Sequence, residues 1–542
     1  MFHVDKTAVR GVHGDGVVLR DTDTRDRFWW HYPNLRMLNI LLLGCIVCDI
    51  TNGYDGSMLN GLQSLESWQD AMGHPKGTHL GTITSGTRYG QLGALVIAAP
   101  LMQRYGRRWP IVIGSSILLV GVALQAAAVN YPMFVVARVL IGFGNTIQNT
   151  ACPVLASELA HPTQRTTIIG VQNSTGSLGQ IMAAWITYGT AFLGMSSWSW
   201  RLPSLLQALS STFQLCMAFV MPESPRWLVH QGRTQEAYQI LTKYHAEGDE
   251  SSRLLQYEMA EIEAAIEAER AQSTSAWSEW IRTAANRYRL FIVVTSGFII
   301  QWCGNALLSY YIHLVFNSIG ITNPKTQLEL NGGITINGWV WGNFFSLFVD
   351  RIGRRPMWLV GLGGMFVAFL LLTVCTGVNT GINYTNDALS RTTLFATFLF
   401  GFFYKMPGCM LNSYVAEVAP FELRAKAFVL SSLCDAAANI FSSYTNPVGL
   451  AAIGWRYYIV WCAVLVSNFV IVFFFYPETK NLSLEEVAQL FDGAALAPGD
   501  GKLREDDARG EAEVVEVAEA ADVAEAGAPG AKGADSTTAR PY

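Results

Sequence analysis

The feature that most constrains the fold is a set of three motifs that each occur twice, in the same order along the chain. The pairs are QRYGRR at 103–108 and DRIGRR at 350–355, Glu158 ahead of Arg165 and Glu417 ahead of Arg424, and PES at 222–224 and PET at 477–479. The second copy follows the first by 247, 259 and 255 residues, respectively. Three unrelated motifs rarely share one spacing by chance, so the sequence predicts two halves with the same architecture.

The composition predicts that both halves lie in a lipid bilayer. Of the 542 residues, 51% are hydrophobic and only 15% are charged, where a soluble chain carries about 25% charged residues. All nine cysteines fall in apolar stretches without zinc-type spacing, so we expect inert thiols and no metal site. No set of nucleophile and base stands out, which indicates that the protein is not an enzyme.

A helix needs about 20 mainly apolar residues to span a bilayer. Twelve such segments are predicted, near 38–60, 80–102, 110–129, 132–153, 167–190, 204–221, 289–316, 332–349, 356–376, 392–414, 427–448 and 457–476. Gly, Ser, Thr and Asn interrupt several of them, as is typical of helices that pack closely or line a polar cavity. The loops after segments 2, 4, 8 and 10 carry more arginine and lysine than the opposite loops, so both termini are predicted to be cytoplasmic.

These segments predict an all-α membrane protein with five regions. They are a cytoplasmic N-terminal segment (1–37), an N-terminal six-helix bundle (38–221), a cytoplasmic helical linker (222–288), a C-terminal six-helix bundle (289–476) and an acidic disordered cytoplasmic tail (477–542). The sequon NYT at 383–385 then lies outside the cell, which makes Asn383 a candidate for glycosylation.

The repeated motifs also resemble a known family. The paired basic loops, with PESPRWL at 222–228 and PETK at 477–480, are similar to the sugar porter branch of the major facilitator superfamily, as are GYD at 53–55 and RVLIGFG at 138–144. The runs TNGYDGS at 51–57 and YHAEGD at 244–249 resemble its fungal lactose and hexose permease-like members. The resemblance covers about residues 35–490. It implies twelve transmembrane helices in two pseudo-symmetric six-helix bundles, the major facilitator fold.

The resemblance further implies a cytoplasmic gate, in which Arg–Glu pairs latch that face when the transporter opens outward. The candidate gate residues are Arg107, Arg108, Glu158, Arg165, Asp350, Arg354, Arg355, Glu417 and Arg424. The carboxylates are duplicated together with the arginines, which favours gating over arginines that only fix the topology. Gln103 stands where the family usually has Asp, so the first latch is predicted to be weaker than the second.

Asp55 is the candidate proton-coupling residue. An ionisable group inside an apolar helix is expensive and usually functional. The resemblance supplies Arg138 as its counter-ion, and the two together could take up and release one proton per cycle. The alternative is a purely structural Asp–Arg pair. Asp49 lies six residues earlier, and the sequence leaves open whether it caps a broken helix or titrates separately.

Candidate sugar contacts follow from the resemblance one position at a time. They are Asn173, Gln180, Gln301, Asn305, Tyr310, Tyr311, Asn337, Asn412 and Asn439. Several depart from the family pattern, since Asn305 and Asn337 lie one position from the usual asparagines and Asn412 replaces a tryptophan. Amides both donate and accept hydrogen bonds, which suits arrays of hydroxyl groups. Each amide alone could equally hold helices together.

Two charged residues depart from the family in a different way. Lys405 lies twelve residues before Glu417, about 18 Å along a helix, and Asp435 lies eleven residues after Arg424, about 16 Å. Both are therefore at similar depth in consecutive segments, and we predict that they form an intramembrane ion pair. The alternative is that Lys405 faces the cavity or snorkels by itself, and a free Lys405 would suit an anionic substrate such as a sugar acid.

Together, these observations predict a proton-coupled sugar importer of the hexose or disaccharide class that works by alternating access. It is expected in the plasma membrane as a monomeric transport unit. Its partners would be the sugar and the lipid bilayer, with no nucleic acid, and the proton would serve as coupling ion in place of a cofactor. Four alternatives stay open: a facilitative transporter, a sugar-acid or polyol transporter, a nutrient sensor on the same scaffold, and a metabolite exporter.

Overall fold

The structure, a computed structural model, describes residues 29–272, 277–318, 320–382, 386–420, 423–480, 482 and 484–492. Within these ranges every regular element is a helix, as the sequence predicts. The sequon residue Asn383 and residues 493–542 of the predicted tail lie outside the described residues.

Helices of the first half follow the first six predicted segments. They are α1 (Pro33–Ile46), α2 (Cys48–Gln63), α3 (Glu66–Met72), α4 (Thr78–Tyr105), α5 (Arg108–Ala126), α6 (Tyr131–Leu159), α7 (Arg165–Ala191), α8 (Trp198–Leu206) and α9 (Ala208–Val220). The first predicted segment is split into α1 and α2, and the sixth into α8 and α9. The short helix α3 lies in the loop that follows α2.

The linker region contains four helices in its described residues. It contains α10 (Pro225–His230), α11 (Thr234–Tyr244), α12 (Arg253–Gln272) and α13 (Glu279–Arg282). Glu247, in the loop after α11, accepts hydrogen bonds from the backbone N–H groups of Asn34 and Leu35, at 3.1 and 2.8 Å. This carboxylate satisfies free N–H groups in the first turn of α1 and complements the helix dipole, so the linker is tied to the first membrane helix.

Helices of the second half follow the last six predicted segments. They are α14 (Ala284–Gln301), α15 (Asn305–Tyr310), α16 (Ile312–Ser318), α17 (Pro324–Ile352), α18 (Arg354–Gly381), α19 (Asp387–Val418), α20 (Arg424–Ile453) and α21 (Tyr457–Phe475). A further helix, α22 (Leu484–Asp492), lies where the disordered tail was predicted to begin. Apolar residues at helical spacing, at Leu484, Val487 and Phe491, favour this helix, and the average composition of the tail conceals them.

The two halves repeat one packing arrangement. In the first half α5 packs against α6 and α9, and α2 packs against α7; in the second half α18 packs against α19 and α21, and α14 against α20. The contacts between the bundles are symmetric as well, with α4 against α20 and α17 against α7. The duplication seen in three short motifs therefore extends to the packing of both bundles.

Apolar side chains cover the outside of the bundles. Val96, Leu347 and Phe474 are 76, 79 and 71% exposed, which suits contact with lipid. By length and mean hydropathy alone, five helical stretches of the described chain qualify as membrane spans: Pro33–Gln63, Arg108–Ala126, Arg354–Gly381, Asp387–Val418 and Arg424–Phe475. Long helices such as α4 and α6 are less apolar because they carry charged and polar side chains inward, among them Arg88 and Arg138.

Candidate functional site

A cavity of about 480 Å³ lies between the two bundles. This volume falls in the range of small-molecule sites, which is roughly 300–1,000 Å³. Five of the nine predicted sugar contacts line it: Asn173, Gln180, Gln301, Asn305 and Tyr310. Helices α2, α4 and α7 supply the wall from the first bundle, and α14, α15, α17 and α19 supply the wall from the second. The structure therefore brings amides from both halves to one polar cavity.

A break between α14 and α15 positions two of these amides. Gly304 has φ of 90°, which is the left-handed region that side chains with a Cβ rarely adopt. A Cβ at this position would also overlap the ring of Phe369. The chain leaves one helix after Gln301 and begins the next at Asn305, so both side chains reach the cavity. Irregular backbone beside a cavity is typical of transporter binding sites.

The other predicted sugar contacts lie elsewhere. The hydroxyl of Tyr311 donates to the backbone carbonyl of Ser443 at 2.6 Å. Asn337 donates to the carbonyl of Phe398 at 3.2 Å, which is helix packing. Asn412 lines a smaller cavity of about 270 Å³ together with Asp435, and this cavity shares Gln301 and Tyr404 with the large one.

Asn439 acts on the large cavity through a neighbour. It is 1% exposed, and its Nδ2 donates to the Oε1 of Gln301 at 3.3 Å. Asn439 therefore orients one amide of the wall and does not itself form part of it.

Asp55 and Arg138 form a buried ion pair. A guanidinium N–H of Arg138 donates to Oδ1 of Asp55 at 2.7 Å, and the two residues are 1 and 8% exposed, in that order. Gln207 donates to the same oxygen at 3.2 Å. Both partners border a cavity of about 220 Å³ that shares Asn52 and Arg88 with the large one. The predicted partnership is thus present, beside the polar cavity.

Asp49 lies at a break in the first membrane segment. Helix α1 ends at Ile46 and α2 begins at Cys48, which places Asp49 in the first turn of α2. A carboxylate there complements the helix dipole. No side-chain hydrogen bond caps this helix at Val47, and Asp49 lines the large cavity. The break between α1 and α2 agrees with the alternative in which Asp49 caps a broken helix. The Asp49 carboxylate, however, faces the cavity.

The predicted ion pair between Lys405 and Asp435 is wrong. Asp435 lies 3.5 Å from a guanidinium nitrogen of Arg88 and accepts a hydrogen bond from Gln301 at 2.7 Å. The side chain of Lys405 lies beside Gly338 on α17, and within the described residues it forms no ion pair with Asp435. A similar rise along two consecutive helices does not establish contact, because it does not fix the direction in which each side chain leaves its helix.

Arg88 is the charged residue that the sequence analysis missed. It crosses from α4 to the second bundle, where Asp435 and the hydroxyl of Tyr310 lie 3.5 and 3.4 Å from its guanidinium. A signal was available, because an arginine inside a predicted membrane segment is a functional candidate in its own right. The pair joins the two bundles at the wall of the cavity.

Two Arg–Glu pairs are present among the candidate gate residues, each within its own bundle. They are Arg107 with Glu158 at 3.0 Å and Arg354 with Glu417 at 2.9 Å. Arg354 also lies 3.0 Å from Asp350, whose counterpart in the first half is the uncharged Gln103. The second pair therefore has one more carboxylate. Arg165 and Arg424 are the first residues of α7 and α20.

The repeated PES and PET motifs hold the basic loops in place. Glu223 accepts hydrogen bonds from the backbone N–H groups of Arg107 and Arg108, and Glu478 does the same for Arg354 and Arg355. Burial raises the pKa of the Glu223 carboxyl, while these N–H groups and the Arg107 charge oppose the rise. Arg108 and Arg355 donate to carbonyl oxygens at the ends of α9 and α21.

A group of hydrogen bonds between the bundles lies at the end remote from the basic loops. They join Asn60 with Ser309, Gln63 with Tyr310, Thr82 and Tyr89 with Tyr444, and Tyr188 with Glu329. Thr82 is about 36 Å along α4 from the loop at Gly106. The two smaller cavities extend from the large one towards the basic loops, as far as Thr150 and Asn412. The cavity is closed at the remote end.

Comparisons with known proteins agree with this architecture. The model of the family described as "Sugar (and other) transporter" matches residues 41–491. The high-affinity glucose transporter of Kluyveromyces lactis is 26% identical over 500 residues, covering 88% of this chain and 89% of the relative. A probable quinate permease of Aspergillus oryzae is 26% identical over 495 residues, with coverages of 86 and 90%. The inward-open structure of the xylose transporter XylE from E. coli superposes with a TM-score of 0.68 at 20% identity, covering 84% of this chain and 100% of that one.

Proposed function

The chain belongs to the sugar (and other) transporter family, with the major facilitator fold, and we propose that it imports a sugar-like substrate together with a proton. The substrate would bind in the 480 Å³ cavity, and the two bundles would rock about it to expose it to each side in turn. The transporter would work as a monomer in the plasma membrane, with both termini and the basic loops on the cytoplasmic side.

The pair of Asp55 and Arg138 carries the proposal of proton coupling. The Arg138 guanidinium, 2.7 Å from Asp55, compensates the hydration that a carboxylate loses on burial. A proton taken up by Asp55 would remove that attraction and free the Arg138 guanidinium. The pair borders a cavity that shares Asn52 and Arg88 with the substrate cavity. Release of the ion pair would therefore act on two residues that line the substrate cavity.

The Arg–Glu pairs support the proposed gate at the basic end. In this structure the cavity is closed at the other end, and the pairs lie within the bundles. When the transporter opens outward, the basic loops of the two bundles would approach each other, and the same arginines could then reach carboxylates across the interface. The latch therefore belongs to the state that is open to the outside.

One experiment separates this function from the alternatives. Uptake of a labelled panel of hexoses, pentoses, disaccharides, polyols and sugar acids is measured in a host without its own transporters, with and without a protonophore. Accumulation above equilibrium that the protonophore abolishes is expected. Uptake indifferent to the protonophore would indicate a facilitative transporter, outward flux from loaded cells an exporter, and signalling without uptake a sensor.

Asp55→Asn tests the coupling residue in the same host. The variant is expected to lose proton-driven accumulation by at least about tenfold, because an amide cannot take up the proton, while exchange of substrate down its gradient continues. Asp70→Asn, in the loop helix α3, removes a carboxylate away from the cavity and should behave as wild type. Accumulation by Asp55→Asn at the wild-type level would refute the assignment of Asp55.

The names of the relatives leave the charge of the substrate open. One is a transporter of glucose, a neutral sugar, and another is a permease of quinate, an acid. Both cover most of this chain at the same identity. The choice between a neutral and an acidic substrate therefore has to come from this chain's own cavity.

A further inference from the structure

We propose that Lys405 binds a carboxylate group of the substrate, and that the protein therefore carries a polyhydroxy acid in preference to a neutral sugar. The proposal rests on the proposed function, because it assumes that the substrate crosses the membrane through the 480 Å³ cavity. Lys405 lies on that cavity's wall, within α19.

The cavity wall contains a slot for the lysine side chain. Gly338 and Gly342 lie one turn apart on α17, on the face that meets Lys405. A Cβ at Gly338 would lie 3.1 Å from Cε of Lys405, and a Cβ at Gly342 would lie 3.6 Å from its Cδ. The absence of a Cβ at Gly338 thus leaves space for the aliphatic stem, and Gly342 lies within ordinary contact distance of it. The stem holds the ammonium group at the cavity.

Lys405 differs from the other cations that border the cavities in having no carboxylate partner. Arg138 pairs with Asp55, and Arg88 pairs with Asp435. In the described part of the chain, Lys405 makes no ion pair. A cation held in the low-dielectric interior without a counter-charge is costly. A carboxylate that enters the cavity would supply that counter-charge and form charge-assisted hydrogen bonds with the ammonium group.

Amides beside Lys405 suit the hydroxyl groups of such a substrate. Asn331, on the same helix as the two glycines, is 5% exposed, and its Nδ2 is buried without a hydrogen-bond partner. Gln180 and Asn173 line the cavity from the first bundle. A cavity with one unpaired cation and several amides fits a molecule with one carboxylate and several hydroxyls.

Asp49 sets the orientation of the substrate. It lines the same cavity from α2, in the first bundle, whereas Lys405 belongs to the second. A carboxylate repels a like charge and accepts hydrogen bonds from hydroxyl groups. The acid group of the substrate should therefore point to Lys405 and its hydroxyl groups towards Asp49. The single charge of Lys405 matches a monovalent carboxylate better than a phosphate dianion.

The test compares substrates that differ only in the acid group. Uptake of D-glucuronate against D-glucose, and of D-gluconate against D-glucitol, is measured with wild type, Lys405→Gln, Lys405→Arg and Lys76→Gln. The wild type should favour each acid over its neutral counterpart. Lys405→Gln should lower the ratio of acid to neutral uptake at least about tenfold, and Lys405→Arg should retain part of it. Lys76→Gln removes an exposed lysine from a loop and serves as the matched control.

Binding to the purified protein supplies a second readout. Thermal stabilisation by D-glucuronate should exceed that by D-glucose in the wild type and fall in Lys405→Gln, and the size-exclusion profile shows whether each variant is folded. Saturable uptake of neutral sugars without uptake of acids would overturn this inference and leave the proposed function intact. An equal loss for acids and neutral sugars in Lys405→Gln would do the same. Failure of wild type to carry any compound of the wider panel would overturn both.

Discussion

At the scale of single residues, the charges beside the cavity have specific and different surroundings. Asp55 has Arg138, Asp435 has Arg88 and Gln301, and Lys405 has a slot formed by two glycines. These side chains therefore have different roles, because each one meets different neighbours. Two pairs compensate their own charge, and one cation is left for an incoming group.

A double-mutant cycle tests the pairing of Arg88 with Asp435. Arg88→Gln and Asp435→Asn should be non-additive in thermal or chemical unfolding, with a coupling of about 0.5–3 kcal/mol, as is usual for residues in contact. Their side chains are each only 23% exposed, so solvent screens the pair incompletely. The cycle of Lys405→Gln with Asp435→Asn is the control and should be additive. Coupling in that control cycle alone would restore the rejected ion pair.

At the scale of helices, close approach of backbones holds each bundle together. Gly114 on α5 and Gly144 on α6 face each other where the two helices cross. A Cβ on Gly144 would lie 2.5 Å from the carbonyl oxygen of Gly114 and 2.7 Å from the backbone nitrogen of Leu118. Small residues allow such contacts in membranes, where burial of apolar surface contributes little between helices. Gly144 in the RVLIGFG run thus has a packing role.

Gly144→Ala should destabilise the first bundle by about 1–3 kcal/mol, the usual cost of overpacking. The added methyl group meets backbone atoms, which cannot turn aside as a side chain could. The measurement is the unfolding temperature of the protein in detergent. Gly170→Ala, in the second turn of α7, has no atom within 4 Å of the new Cβ and should not lower that temperature. Equal effects of both substitutions would indicate that the crossing is not tight.

At the scale of the whole molecule, the two bundles meet at one end. Tyr444 on α20 is part of that contact, with its hydroxyl 3.0 Å from Thr82 and 2.6 Å from Tyr89 on α4. The family model covers both bundles as one unit, which agrees with a protein whose function requires both halves. The balance between closed and open ends should therefore depend on the few hydrogen bonds that cross the interface.

Tyr444→Phe is expected to loosen the closed end. Loss of a hydrogen bond costs about 0.5–1.5 kcal/mol, which changes the population of the open state roughly two- to tenfold. Hydrogen–deuterium exchange should become faster in the first turns of α4 and α17. Tyr457→Phe removes a hydrogen bond to Asn446 that lies within the second bundle, so it should not alter exchange at the interface. Unchanged exchange in Tyr444→Phe would mean that packing alone keeps this end closed.

The sequence by itself determined the features that recur or that require a particular residue type. The repeated basic loops, Glu158 and Glu417 predicted the two halves and their Arg–Glu pairs, since the same local chemistry had to be built twice. The partnership of Asp55 with Arg138 was also predicted, through the family resemblance. A buried carboxylate needs a cation, and the resemblance named one.

Only the tertiary structure decided which neighbour each remaining side chain meets. Depth along a helix follows from 1.5 Å per residue, but the direction of a side chain depends on how that helix is rotated and packed. In the packed bundles Asp435 pairs with Arg88 of the other bundle, and Lys405 lies beside Gly338. Tyr311 donates a hydrogen bond to Ser443 and does not line the cavity. Contacts between residues hundreds of positions apart have no local signature in the sequence, so the partners in the cavity appeared only when both bundles were in place.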